Sequence, residues 1–492
     1  MVNKTVSCGK LFEESDSLPL FSIDDCLISG PAAGYRNGTS LNNEGSNGNY
    51  WSSTPNESND NNSYNLNFNS GNHNTNWNNR NNGQSVRPVS ELTGNEAPAC
   101  RRFKISKEQL LRDLYVAYKD ARKHKRGRSY QLEFEYNLEE NLVALRDELI
   151  TSSYKPLPSS CFIIHEPKMR EVFAANFRDR IVHHLFYNYT HVIFERTFIH
   201  DSYSCIKDRG THYGISRLNH HIRSVSAGYS RPCYILKLDI KGYFMSIDRE
   251  RLLKICRTTF RKMKKRASDV QGKLWDDIVD FEFVDYLLET IVCSDPVDNC
   301  IVKGCKEEWK NLPPEKSLFK SACGCGLPIG NLSSQLFSNV YLNVLDNYVK
   351  RVLKCKHYGR YVDDAYIVSN DRQFLKSIIP AVDNFINLHL GLSLHCNKVR
   401  IYNADHGVEF LGAFVKPHRV YISSSSLKGI KRRMPDWHKM SARRLFSSLN
   451  SSLGVLSHYK TFCIRRVLFG YSGRLNKYGR FSPDWLVFTQ TV

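Results

Sequence analysis

Apolar positions recur with regular period only from about residue 100 onward. Ser106 followed by Gln109 is a capping-box signal, and Leu110, Leu114 and Val116 to Tyr118 then fall at roughly helical spacing. Residues 131–150 set Leu138, Leu142, Leu145 and Leu149 on one helical face, which predicts a core-packed helix. Cys233 to Asp239, CYILKLD, is a short β-rich run that ends in a carboxylate. His357 to Tyr361 and Ala365 to Val368 are strand-like runs separated by Val362, Asp363 and Asp364, a pattern that predicts a hairpin with acids at its tip. Residues 416–492 are basic and helix-like, with Arg432, Arg433, Arg443, Arg444, Arg465 and Arg466 spread among apolar positions.

The first 99 residues carry no such pattern. Between Leu41 and Ser90 there are 18 asparagines, no Lys and few large aliphatics, so this stretch buries too little apolar area to offset its ordering entropy. Disorder or a weakly held appendage is expected there. Charge divides at the same place: residues 1–99 hold 5 basic and 10 acidic side chains, whereas the whole 492-residue chain carries 69 Lys plus Arg against 49 Asp plus Glu, a net +20. The later part alone is therefore +25, a surface suited to polyanions. A length of 492 residues suggests two or three structural units. No apolar run reaches 18 residues and the start lacks a secretory signal, so a cytoplasmic protein without membrane contact is expected. Fifteen scattered cysteines read mostly as packing residues. The cluster Cys293, Cys300, Cys305, Cys323 and Cys325 lacks paired C-x2-C knuckles, which disfavours structural zinc.

Two adjacent carboxylates at a tight turn repel each other unless they are solvated or bound to a cation. The flanks in GRYVDDAYIVS are apolar, which places Asp363 and Asp364 on strands of a buried sheet and favours a metal site over a surface turn. Asp239 is the third candidate. Three carboxylates supply hard oxygen ligands suited to Mg²⁺, with Mn²⁺ as a substitute, and two such ions would activate an attacking hydroxyl and stabilise leaving pyrophosphate. The chemistry implied is nucleotidyl transfer.

Residues 100–492 resemble the reverse transcriptases in six motifs taken in order. EPKMREVFAANFRDRIVHHLFY resembles the fingers motifs, LKLDIKGYFMSID motif A, GLPIGNLSSQLFSNVYLNVLD motif B, YVDD motif C, LSLHCNKV motif D and VEFLGAFV the primer grip. The resemblance implies an α+β right-hand polymerase: fingers over 100–232, a palm of antiparallel sheet backed by helices over 233–415 with a basic, Cys-bearing insertion at 259–321, and a helical thumb over 416–492. It implies metal ligation by Asp239, Asp363 and Asp364 with the Ile240 carbonyl. Lys168 and Arg170 would hold the incoming triphosphate, Phe244 would exclude a 2′-hydroxyl, Ile329 and Gln335 would lie at the nascent pair, and Leu411 with Gly412 would approach the primer. Lys398 would protonate the leaving pyrophosphate.

Within that family, Ile329-Gly330-Asn331-Leu332-Ser333-Ser334-Gln335 resembles the enzymes of diversity-generating retroelements rather than the Gln-Gly and Ser-Pro text of group II intron and retron enzymes. The asparagine-dense segment resembles the tail of the variable proteins these elements diversify. Residues 1–99 then read as a translated template repeat or a lectin-like fragment. The implied partners are a template-repeat RNA, the cDNA/RNA hybrid, deoxynucleoside triphosphates and a small basic pentameric accessory protein. The alternatives are a group II intron-like or phage-defence reverse transcriptase and, in different classes, a silent RNA-binding scaffold or a surface-displayed lectin-like binder resting on the N-terminal segment alone. Only 77 residues follow Val415 and no H-N-H pattern is visible, which disfavours the intron reading.

Overall fold

The computed structural model describes residues 103–123, 127–165, 168–470, 475 and 478–490, together with the backbone of six strands nearer the N-terminus. These strands are β1 (Ala33–Asn37), β2 (Ser40–Glu44), β3 (Gly48–Pro55), β4 (Asn62–Phe68), β5 (His73–Asn79) and β6 (Asn82–Gly83). They pair antiparallel in two three-stranded sheets of order β2-β1-β6 and β3-β4-β5. For the rest of residues 1–99, the expectation of disorder lies outside the described residues. The chain separates into two units at Ala99 and Cys100, and the second unit contains all the motifs named above.

That unit begins with α1 (Lys107–Arg122), capped by the Ser106 hydroxyl, which accepts from the Gln109 amide at 3.1 Å. The Gln109 side chain turns forward to Asp113, so half of the expected box closes. Leu110, Leu114, Ala117, Tyr118 and Ala121 are buried, and Val116 faces outward. Residues 129–150 split at Asn137 into α2 (Ser129–Tyr136) and α3 (Leu138–Ile150), and Leu142, Leu145 and Leu149 form the buried stripe of the latter. Next come β7 (Ser159–Ile164) and β8 (Arg170–Ala174), an antiparallel pair, followed by α4 (Phe177–Glu195), which packs on α1. Asp179 in the first turn of α4 accepts from the Tyr154 hydroxyl and the Leu157 amide, and burial pushes its carboxyl up to about 6.

After α5 (Thr211–Val225), the chain enters the central sheet through β9 (Tyr234–Leu238). A short α6 (Tyr243–Ser246) and α7 (Arg249–Lys264) follow. Residues 259–321, expected from the sequence as a basic insertion, contribute a buried helix and a sheet strand to this unit. Helix α8 (Phe281–Cys293) buries Phe283, Val284, Leu287, Leu288 and Val292, and β10 (Cys300–Val302) joins β7 in parallel to complete the sheet β10-β7-β8. The reason is visible in FEFVDYLLETIVC, whose apolar positions wrap most of a helix.

Helix α9 (Leu332–Asn347) leads to β11 (Tyr358–Tyr361), β12 (Asp364–Ser369), α10 (Arg372–Leu390) and β13 (Arg400–Asn403). The sheet order is β11-β12-β9-β13, antiparallel throughout. Leu236, Leu238, Ala365 and Ile367 belong to the large core with α4, α7, α9 and α10, whereas Ile235, Tyr366 and Val368 belong to a second core with α5. Both faces are covered, which is why CYILKLD reads as a nearly continuous apolar run. Truncating such a buried leucine to alanine costs about 2–5 kcal/mol.

The C-terminal part adds β14 (Val408–Phe410), β15 (Ala413–Lys416) and β16 (Arg419–Ile422), then α11 (Ser424–Arg433), α12 (Ala442–Ser457) and α13 (Phe462–Gly470). Its own core contains Leu445, Leu449, Leu453 and Leu456 along one stripe of α12. Residues 416–492 depart from the expectation of basic helices at β16, in a C-terminal hairpin and at Arg465. A hairpin of β17 (Gly479–Phe481) and β18 (Phe488–Gln490) closes the region, and Arg465 is buried, donating to the Leu456 and Asp484 carbonyls and the Thr461 hydroxyl. Arg465 is thus a structural residue rather than part of the basic surface.

Cysteine usage also differs from expectation. Cys161, Cys233, Cys256 and Cys355 are buried, but Cys205, Cys293, Cys305, Cys323, Cys396 and Cys463 are exposed. All the described cysteines are free thiols, including Cys293, Cys300, Cys305, Cys323 and Cys325. No described helix is long and apolar enough to cross a membrane.

Candidate active site

The register Ala365↔Leu238 sets the geometry. Continued by one residue, it places Asp364 beside Asp239, while Tyr361↔Asp364 closes a two-residue turn of Val362 and Asp363. Three carboxylates from two strands are thereby gathered at one sheet end. Val362 holds φ 55°, a left-handed conformation that is costly for a β-branched side chain. Burial pushes the Asp363 carboxyl up to about 6, with Asp239 and Asp364 adding in the same direction. Asp364 is raised by burial and by Asp239, against the pull of Lys237 and Lys168. Each acid therefore feels the others, and a cation would relieve that repulsion.

Lysines presently meet part of this need. Lys398 Nζ lies 3.0 and 3.3 Å from the two Asp239 oxygens, and Lys237 Nζ lies 3.3 Å from Asp364 Oδ1. Among the described residues, no three His, Cys, Asp or Glu side chains converge closely enough to hold an ion. The donor set is chemically that of a hard divalent cation, with Lys398 and Lys237 standing where positive charge is required.

The remaining expected residues group around this end of the sheet in different ways. Lys168 is exposed between β7 and β8, close enough for its charge to lower the Asp364 carboxyl, and Arg170 is exposed at the start of β8. Ile240 is buried and bridges Leu394, and the neighbouring Asp239 carbonyl accepts from the His395 amide at 2.8 Å. Phe244 and Ile329 are half-buried against the same small core of Cys161, Phe173, Met245 and Leu318. Ile329 accepts from the Phe173 amide at 2.9 Å, and Gly330 follows at φ 131°, where a Cβ would meet the Phe173 carbonyl at 2.8 Å. Gln335 is exposed on the first turns of α9 and accepts from the Cys205 thiol. Leu411 and Gly412 form the two-residue turn between β14 and β15, at φ 49° and 82°. The Leu411 side chain packs on the second core, and the Gly412 carbonyl accepts from the Ser423 amide at 2.9 Å.

Three residues of the site went unread in the sequence. Lys237 also donates to the Glu409 carbonyl at 3.0 Å, so one ammonium touches both the acid strand β12 and the hairpin β14–β15. Arg360 and Asp346, 1 % and 0 % exposed, form a buried bidentate ion pair directly beneath the acid turn. A lone Arg within the strand run HYGRY and a lone Asp within the apolar helix LSSQLFSNVYLNVLDN are the available signals, because charges at core positions demand partners.

Residues 165–415 match the family model described as reverse transcriptase (RNA-dependent DNA polymerase), which covers half of the chain. Residues 25–89 match a separate model, described as a domain of unknown function (DUF8237). Protein YkfC of Escherichia coli strain K12 is 25 % identical over 346 residues, spanning 63 % of this chain and 79 % of that protein. Among solved structures, apo telomerase of Candida tropicalis, truncated from its C-terminal domain, aligns at TM-score 0.37 and 12 % identity over 56 % of this chain and 59 % of its own. Telomerase of Candida albicans with a fragment of telomeric RNA aligns at TM-score 0.37 and 11 % identity over 64 % and 55 %. The chain thus spans under two thirds of these telomerase chains.

Proposed function

The chain belongs to the reverse transcriptase (RNA-dependent DNA polymerase) family, and from that premise we propose that it copies a template-repeat RNA into cDNA for targeted gene diversification. The observation that carries the catalytic part is the register that sets Asp239 beside Asp364 with Asp363 in the adjoining turn. In this reading Asp239, Asp363, Asp364 and the Ile240 carbonyl hold divalent cations, Mg²⁺ or Mn²⁺. When bound, these supply Lewis-acid stabilisation of charge at the transferring phosphoryl group.

The chain's own residues do the rest. Lys168 and Arg170, at the loop end of the β7–β8 pair, hold the triphosphate, Lys as a point charge and Arg as a planar fork. Phe244 packs with Ile329 behind the sugar, where a ring leaves no room for a 2′-hydroxyl. Gln335, in the first turn of α9, lies beside the nascent pair. Leu411 and Gly412 bring main chain to the primer strand. Lys398, already paired with Asp239, carries the proton for leaving pyrophosphate.

The diversity-generating assignment rests on the text IGNLSSQ and on the asparagine-dense N-terminal segment. The family model over residues 25–89 is compatible with either reading of that segment, since a template repeat copies a coding region and a lectin-like fragment is one. Ile329, where related enzymes carry Gln, removes a polar anchor near the nascent pair and relaxes selection at template adenines. The small basic accessory protein would present the RNA.

Primer extension on an RNA template tests both levels. With Mg²⁺ the wild type extends a DNA primer, and Asp364→Ala lowers the rate on the order of 1,000-fold. Equal product from both proteins would reject the polymerase site. Sequencing the cDNA then reads errors at adenines, which Ile329→Gln reduces. A flat error spectrum in the wild type would leave a polymerase of the group II intron-like or phage-defence kind.

A further inference from the structure

We propose that Arg360 is a positioning residue that, pinned on Asp346, holds the strained turn at Val362 so that Asp363 projects into the acid site. This rests on the polymerase reading for its consequence, but not for its geometry.

The guanidinium is enclosed and its contacts are directional. Nε donates to Asp346 Oδ1 at 2.8 Å and Nη2 to Asp346 Oδ2 at 2.7 Å, a fork-on-fork pair that fixes the plane of the group. Nη1 then points at the Val362 carbonyl, 2.9 Å away, and lies 3.3 Å from Asn339 Oδ1. Tyr358 completes the carboxylate's shell by donating to Asp346 Oδ1 at 2.6 Å. The main chain is held as well: the Arg360 amide donates to the Asp201 carbonyl at 2.9 Å, and the Arg360 carbonyl accepts from Tyr203 at 3.0 Å.

The Val362 carbonyl belongs to the peptide plane that also carries the Asp363 amide, so fixing its direction fixes how the Asp363 side chain leaves the backbone. A β-branched residue at φ 55° persists only where its surroundings over-determine it. Arg360 is the group that does so from beneath. Because Asp346 and Asn339 both lie on α9, the same contacts tie the acid turn to the helix whose first turns carry Gln335. A lysine in place of Arg360 has a single nitrogen and cannot reproduce the fork and the carbonyl contact together.

Removing one partner strands a buried charge, so the test uses the paired variant R360M/D346L, which replaces both charges by apolar groups of similar reach. Hydrogen exchange of peptides covering residues 358–369 reads the turn directly. The paired variant is expected to exchange there about tenfold faster than wild type, with peptides from α12 unchanged. In primer extension, kcat falls about 100-fold while the KM for deoxynucleotide and the Kd for template–primer stay within about threefold. R360K, which keeps a cation against Asp346 and guards against failure of the paired variant to fold, gives a kcat about tenfold below wild type. Unchanged exchange over 358–369 in both variants overturns the proposal whatever kcat does. A wild type that fails to extend primers rejects the polymerase reading instead, and leaves the exchange result to decide the role of Arg360.

Discussion

Two hairpins in the second unit open their turns alike and diverge at the second position. The turn between β11 and β12 and the turn between β14 and β15 each have two residues, and each opens on a bulky residue at positive φ, Val362 at 55° and Leu411 at 49°. In the second turn Gly412 takes the following left-handed position without steric penalty, and the Ser423 amide and Ser426 hydroxyl secure its carbonyl. In the first turn the following residue is Asp363, a charged group pressed against two others, and the anchor is a buried Arg–Asp pair. A turn that only has to present main chain can be held by neutral hydrogen bonds. A turn that has to aim a carboxylate against repulsion is held by charge.

The sharpest way to separate the two turns is to remove what each presents. Asp363→Asn lowers primer extension on the order of 1,000-fold with a normal melting curve. Leu411→Ala lowers it by about tenfold or less, mainly through the KM for primer. Comparable losses in kcat for both would erase the distinction. Lys237 is the link between the hairpins, since it contacts Asp364 on one and the Glu409 carbonyl on the other. Lys237→Met is expected to reduce kcat about tenfold, with template–primer affinity measured by anisotropy close to wild type. An effect on affinity alone would place Lys237 with the β14–β15 hairpin only.

Backbone changes give the smaller effects. Gly412→Val forces a β-branched residue to φ 82° with the Ser426 hydroxyl 3.0 Å from its Cβ, and should cost about 1–3 kcal/mol in chemical denaturation. Val362→Gly relieves the strain at the other turn and should alter stability by about 1 kcal/mol or less, because glycine loses more entropy on folding. It should nevertheless slow extension, since the freed turn aims Asp363 less well. An unaltered extension rate in Val362→Gly would mean that the strain serves no purpose in the site.

Much of this was legible in the residues. YVDD between two apolar runs specified the acid hairpin, LKLD specified the strand that meets it, and Leu142, Leu145 and Leu149 specified a core helix. Helix α8 is hidden because its neighbours are rich in Lys, Arg and Cys, and that composition masks its own apolar wrap. Arg465 is masked for a related reason. Its charge suits a basic surface, and nothing local announces that the carbonyls of Leu456 and Asp484 surround it.

By itself, the sequence determined the family, the order of the motifs and the identity of the acids, because these are properties of residue type and spacing along one strand or turn. Only the tertiary structure decided which groups surround those acids: Lys398 on Asp239, Lys237 on Asp364, and the Arg360–Asp346 pair under Val362. Each of these contacts joins separate elements through space. Such a pair forms only when its two charges come within a few ångströms, and the chain order does not encode which distant segments come that close.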